Sequence, residues 1–161
     1  MSAGFTASEV LSAGFTASEV LSAGFTASEV RSAGYKEKDL DEWESIPVLE
    51  KPYTKLLKDL KDKKRIHNQA TFGPDYDPGA ENVCGTPMCT AGHLVNMAGK
   101  IGYDLKAKYG WAQAAALIHF KTHPGEPIQN FSAIPQDWAM AYIEEMAERE
   151  SKSKKSVKKK K

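Results

Sequence analysis

SAGFTASEV is written three times at the N-terminus, at Ser2–Val10, Ser12–Val20 and Ser22–Val30, with Leu11 and Leu21 between the copies. A fixed period of ten residues marks structural units that bury their apolar face only against one another. Within the unit, Thr6 stands where a helix N-cap belongs, and Glu9 follows three residues later, the spacing of a capping box. Phe5 before the cap and Val10 after Glu9 have the spacing of a hydrophobic staple. The helix is therefore expected to begin at Ala7. Gly14 is expected to end it by entering left-handed backbone, which folds Phe15 back on Val10. A helix of about two turns falls below the ~12–15 residues that an isolated helix needs in water. It persists only in a stack, whose continuous core is expected to be Phe5, Val10, Leu11, Phe15, Val20, Leu21, Phe25 and Val30, with the serines and glutamates outside.

A fourth unit, Ser32–Leu40, keeps the frame but has Lys36 in place of threonine and gains Glu37, Lys38 and Asp39. A terminal capping unit has this character. The pattern resembles the decapeptide AGF-S/T-x-x-E-L repeats found in otherwise unrelated microbial and viral proteins. That resemblance covers residues 2–40 and implies an architecture, not an activity. The identity of the units fits either a multivalent surface, with Glu9, Glu19 and Glu29 as candidate partner-binding residues, or a stalk lengthened by tandem expansion.

The chain has 161 residues and 41% hydrophobic content, enough for one modest globular domain beside the array. The net charge of +1 conceals an asymmetry, because seven lysines and no acid lie in Ser151–Lys161, leaving the rest mildly acidic. No run approaches the roughly 20 apolar residues of a membrane span, and the N-terminus has no secretory signal pattern. A soluble cytoplasmic or intracellular protein without membrane contact is expected. Two cysteines are too few for a disulfide framework.

Asp41–Pro52 reads as a packed linker. Tyr53, Leu56, Leu57 and Leu60 then give one buried stripe of an amphipathic helix whose lysines and Arg65 form a solvated face. FGPDYDPGA at 72–80 is turn chemistry, and its acids lack the spacing of a calcium loop. The informative segment is Cys84-Gly-Thr-Pro-Met-Cys89-Thr-Ala-Gly-His93. Thr86 followed by Pro87 predicts a helix start that places Cys89 in the first turn. Helix amides there favour a thiolate if the site is not apolar, and His93 lies one turn further on the same face.

This string resembles the CGTxxCxAGH signature of a family of small bacterial and phage proteins of uncharacterised activity, with similarity from about Ile66 to Arg149. The resemblance implies no activity. Four readings of the residues stay open. Both cysteines can be small buried residues, with Ala91 and Gly92 permitting close packing and His93 hydrogen-bonded within the domain. Cys89 can be the nucleophile of a small enzyme, with His93 or a more distant histidine as base and the helix amides receiving the oxyanion. Cys84, Cys89 and His93 with His119 or His123 can hold zinc, although C-x4-C-x3-H is not a standard ligand spacing. Cys84 and Cys89 can form a regulatory disulfide.

Helices are also expected to end at Gly99, to run around Trp111–Phe120, and to start again at Pro135 with Trp138, Ala141, Tyr142 and Met146 on the inner face. The lysine-rich end is expected to be disordered, and Lys158, Lys159, Lys160 and Lys161 are candidates for non-specific contact with nucleic acid. The chain is thus expected to be mainly α. Residues 1–40 form a stack of very short repeat helices, 41–150 a compact helical domain, and 151–161 a disordered basic tail. The leading functional expectation is a non-enzymatic interaction or scaffolding protein with a protein partner and no cofactor. A cysteine-dependent enzyme or zinc-binding domain is the alternative.

Overall fold

The repeat dictates its own local structure, and α1 (Ala7–Ser12), α2 (Ala17–Ser22) and α3 (Ala27–Ser32) repeat one pattern of bonds in the computed structural model, which describes residues 4–78, 85–131 and 134–157. Thr6 accepts from the Glu9 amide at 3.3 Å, while Glu9 Oε2 accepts from the Thr6 amide at 2.7 Å, and the same box closes at Thr16 and Thr26. At the other end Gly14 has φ +85°, its amide donates to Leu11 and the Phe15 amide donates to Val10. These are the two bonds of a Schellman stop. α4 (Glu37–Ser45) starts at Lys36 with no side-chain cap, as the lost threonine requires.

Units pack in alternation, α1 on α3 and α2 on α4, and α2 also touches α3. The Tyr35 hydroxyl donates to the Phe15 carbonyl at 2.9 Å, tying units two apart. Val20, Val30 and Leu40 are fully buried. The expected continuous core is corrected at its aromatic positions, since Phe5 is 62% and Phe15 51% exposed. Phe25 is half-buried because it shares a groove with Trp43, Phe120 and Pro124, and the first two units have no such cover. Ala7 and Ala17 fill the interior in their place, and Ser18 is buried rather than outside.

α4 runs through Ser45, so the expected linker begins as helix, with Trp43 buried under the Lys121 ammonium 5.1 Å from its ring centre. The following elements are α5 (Pro52–Lys61), β1 (Ile66–His67), β2 (Pro87–Met88), α6 (Thr90–Met97), α7 (Gly99–Tyr109), α8 (Trp111–Thr122) and α9 (Gln136–Val157). The strands make a two-residue parallel pairing, Ile66 with Pro87 and His67 with Met88. α6 and α7 pack on α8, and α5 packs along α9. Gly99 does end α6, with φ +62°, but the chain turns at once into α7, which carries no clear stripe in the sequence.

The inner face of α9 is Ala139, Ile143, Met146, Ala147 and Glu150, rotated from the expected one. Trp138 is 67% exposed and Ala141 is also outside. α9 continues through Ser151–Val157, where disorder was expected, and Lys152 pairs with Glu148 one turn earlier at 2.6 Å. Lys158, Lys159, Lys160 and Lys161 lie outside the described residues. The core is one cluster from Val20 and Val30 through Trp43 to Leu94, Ile118 and Ile143, with α2 against α8. Packing therefore crosses the expected boundary at residue 40. No described helix is long and apolar enough to cross a membrane.

Candidate functional site

The second cysteine of the motif caps a helix. Thr86 and Pro87 do not start α6 as expected, because Pro87 and Met88 are drawn into the strand pairing with Ile66 and His67. The helix begins one turn later, and Cys89 is its N-cap, the sulfur accepting from the Gly92 amide at 3.4 Å. The Cys89 amide in turn donates to the Thr71 carbonyl at 2.6 Å. Cys89 is 1% exposed, and burial raises its thiol pKa against the smaller opposing effect of the helix amides. The condition for a thiolate, a site that is not apolar, is not met, and desolvation outweighs the first-turn amides. Cys84 lies outside the described residues, so its candidate roles as ligand and disulfide partner do too.

Gly92 faces the main chain of Phe72, and a Cβ there would collide with the Phe72 carbonyl oxygen. Ala91 is fully buried. Both residues let the loop lie directly on the helix, the close packing that the sequence suggested. His93 is buried, with Nε2 3.1 Å from the Ile66 carbonyl and Nδ1 3.3 Å from the Arg65 guanidinium. Nε2 therefore carries the proton and Nδ1 accepts. Burial first, then the charge of Arg65 and the neighbouring His67, pushes its pKa down to about 3. Both His93 ring nitrogens are hydrogen-bonded to groups other than the Cys89 sulfur. His67 stacks on His93 with ring centres 6.0 Å apart, and it bonds Thr90 at 3.0 Å and Gln136 at 2.8 Å.

Arg65 connects the motif to a cleft of about 430 Å³ between α5, the start of α7 and the loop Pro74–Pro78. Its guanidinium meets Asp59 at 3.4 Å and Asn96 at 3.0 Å, and Tyr76 and Tyr103 face each other at 5.1 Å on the opposite wall. The lysine-rich context of Arg65 reads as a solvated face, but Arg65 is the member of that run that turns inward. It is the only arginine among the lysines of that run, the residue type suited to a part-buried ion pair.

The other two candidate histidines lie in a second network. His119 Nδ1 is 2.7 Å from the Tyr53 hydroxyl, which is 3.3 Å from the Tyr142 hydroxyl, which donates to the Pro127 carbonyl. Burial and the neighbouring His123 lower the His119 pKa to about 4. His123 Nε2 is 3.0 Å from Glu150. The Glu150 carboxylate also accepts from the amides of Tyr53 at 3.1 Å and Thr54 at 2.8 Å. It thereby caps α5, whose own N-cap, Lys51, gives the helix amides no side-chain acceptor and instead donates its ammonium to the Glu150 carbonyl at 2.9 Å. A glutamate falling on the apolar stripe of α9 was the sequence signal for this role. Among the described residues no three His, Cys, Asp or Glu side chains converge in a metal-binding arrangement. Cys89 and His93, at the start of α6, lie apart from the network of His119 and His123, so among the described residues neither of the latter joins the expected set of Cys84, Cys89 and His93.

On the repeats, Glu9, Glu19 and Glu29 project at a ten-residue interval, but each commits Oε2 to its capping box. Donation from the threonine amide and hydroxyl keeps Glu9 and Glu29 below the ordinary carboxylate range. The array also has a groove of about 480 Å³ lined by Leu11, Phe15 and Tyr35 and by charges of both signs, Lys36, Lys38 and Lys108 with Asp39 and Glu42. Comparison with known proteins finds no matching family, no similar curated protein and no similar solved structure.

Proposed function

We propose that this chain is an interaction module in which the helical repeats present a protein-binding surface and the compact helical domain anchors them. The exposure of Phe5 and Phe15 carries the reading, because the same array buries its valines completely at Val20 and Val30. Large apolar side chains on a free surface mark contact sites, and aromatic residues dominate their energetics. The apolar side chains beside Phe15 suit a protein segment that brings an aliphatic or aromatic anchor. Glu9, Glu19 and Glu29, the candidate partner-binding residues, hold the backbone of the repeats in shape through their capping boxes. Burial of Cys89 and the engagement of His93 weigh against a cysteine enzyme.

The test is co-precipitation from cell extract with the full chain, with Phe5→Ser/Phe15→Ser, and with Trp138→Ser as a control on a distant exposed aromatic. A stoichiometric partner lost only with the double variant, at unchanged melting temperature, supports the reading. Equal retention by all three overturns it. Lys158, Lys159, Lys160 and Lys161 add a non-specific phosphate contact under this proposal, and DNA retention without salt dependence would remove it.

A further inference from the structure

The two histidine pairs of this protein differ in one respect. Between His67 and His93 every ring nitrogen has a hydrogen-bond partner. Between His119 and His123, whose ring centres are 5.3 Å apart, His119 Nε2 and His123 Nδ1 are buried with none. His119 is only 1% exposed, and a buried polar nitrogen left unpaired is costly unless something outside the chain satisfies it.

The partnered nitrogens fix what the orphaned ones offer. Glu150 can only accept, so His123 Nε2 donates to it, leaving Nδ1 as the nitrogen whose lone pair is open to a ligand. Tyr142 donates to Pro127, so a single run of hydrogens from His119 Nδ1 to Tyr53, Tyr142 and Pro127 satisfies every bond of that chain. In that run His119 Nε2 is also a bare lone pair. Metal-ligating histidines have this outer arrangement, the second nitrogen being held by a carboxylate or other hydrogen-bond partner. The spacing of four residues sets both rings on one side of the end of α8, as in helical two-histidine metal sites. The carbonyls of Glu126 and Pro127 come up to the His119 ring, neither in hydrogen-bonding position at Nε2.

We infer that His119 Nε2 and His123 Nδ1 bind one divalent transition-metal ion of the zinc type, with carbonyl oxygen or water completing its coordination. Imidazole nitrogens favour zinc, nickel and copper over magnesium and calcium. The partly exposed His123 ring gives the ion a route from solvent.

Calorimetric titration of the full chain with zinc chloride, in a Cys84→Ser background that removes one competing thiol, tests the inference. One equivalent is expected to bind, with a rise in melting temperature that magnesium does not produce. His123→Gln, which keeps a donor for Glu150, and His119→Gln are each expected to abolish that binding, while His67→Gln retains it. Absence of saturable one-site binding, or equal binding by the His119 and His123 variants, would overturn it.

Discussion

Cys89 shows how one residue type takes its chemistry from its surroundings. Its sulfur sits at a helix start, yet it is enclosed by the core and occupied by the Gly92 amide. In a Cys84→Ser variant the remaining thiol should react with a disulfide reagent only as the protein unfolds, and fast labelling of the native state at neutral pH would contradict its burial. Gly92 is a steric requirement of the same corner, since a Cβ would meet the Phe72 backbone, which cannot swing aside as a side chain can. Gly92→Ala should cost about 1–3 kcal/mol in urea unfolding. His93 and His119 couple the fold to pH. Their folded pKa values, about 3 and about 4, lie below the ordinary 6.5. Above pH 6.5 both are neutral in the folded and unfolded chain, and their contribution is fully present. As pH falls from 6.5 towards 4 the unfolded chain takes up protons that the folded chain refuses. Stability then declines by up to about 1.4 kcal/mol per pH unit for each histidine. Urea midpoints across that window should fall, and less steeply in His93→Gln.

At the scale of the element, the repeat helices are self-contained: Thr, Glu and Gly of one unit supply both ends of a six-residue helix. These bonds span three to five residues, which is why they are legible without a fold. α5 is the opposite case. Its first amides point into the domain and take their acceptor from Glu150, ninety-seven positions away from Tyr53. Glu150→Ala should destabilise the protein by roughly 2–3 kcal/mol, because it leaves two buried amides and His123 without their charged partner. A loss comparable to that of an exposed glutamate would show that α5 does not depend on this cap. α9 runs on past Glu150, where Lys152 meets Glu148 one turn earlier. The start of α6 moved because Pro87 and Met88 pair with Ile66 and His67, a contact with no local signature.

At the scale of the molecule, array and domain share one core, and Val20, Leu21 and Tyr35 belong to the same cluster as Leu117 and Ile143. Deleting residues 2–11 gives the same chain as deleting 12–21, so the remaining copies can occupy the inner positions, and melting should change little. Deleting 2–31 removes Val20, Leu21 and Val30, and should lower the melting temperature of what remains; an unchanged transition would show that the array is dispensable to the core. The sequence by itself determined the period, the caps, the glycine stops, the weakened fourth unit and the mainly helical class, because each follows from bonds between near neighbours along the chain. Only the tertiary structure decided which of three identical phenylalanines is covered, that Cys89 is sealed, that Arg65 and Glu150 turn inward, and that His119 and His123 lie in a network apart from Cys89 and His93. Those outcomes depend on surfaces brought together from distant parts of the chain, and identical units acquire different environments as soon as one of them meets a neighbour that the others lack.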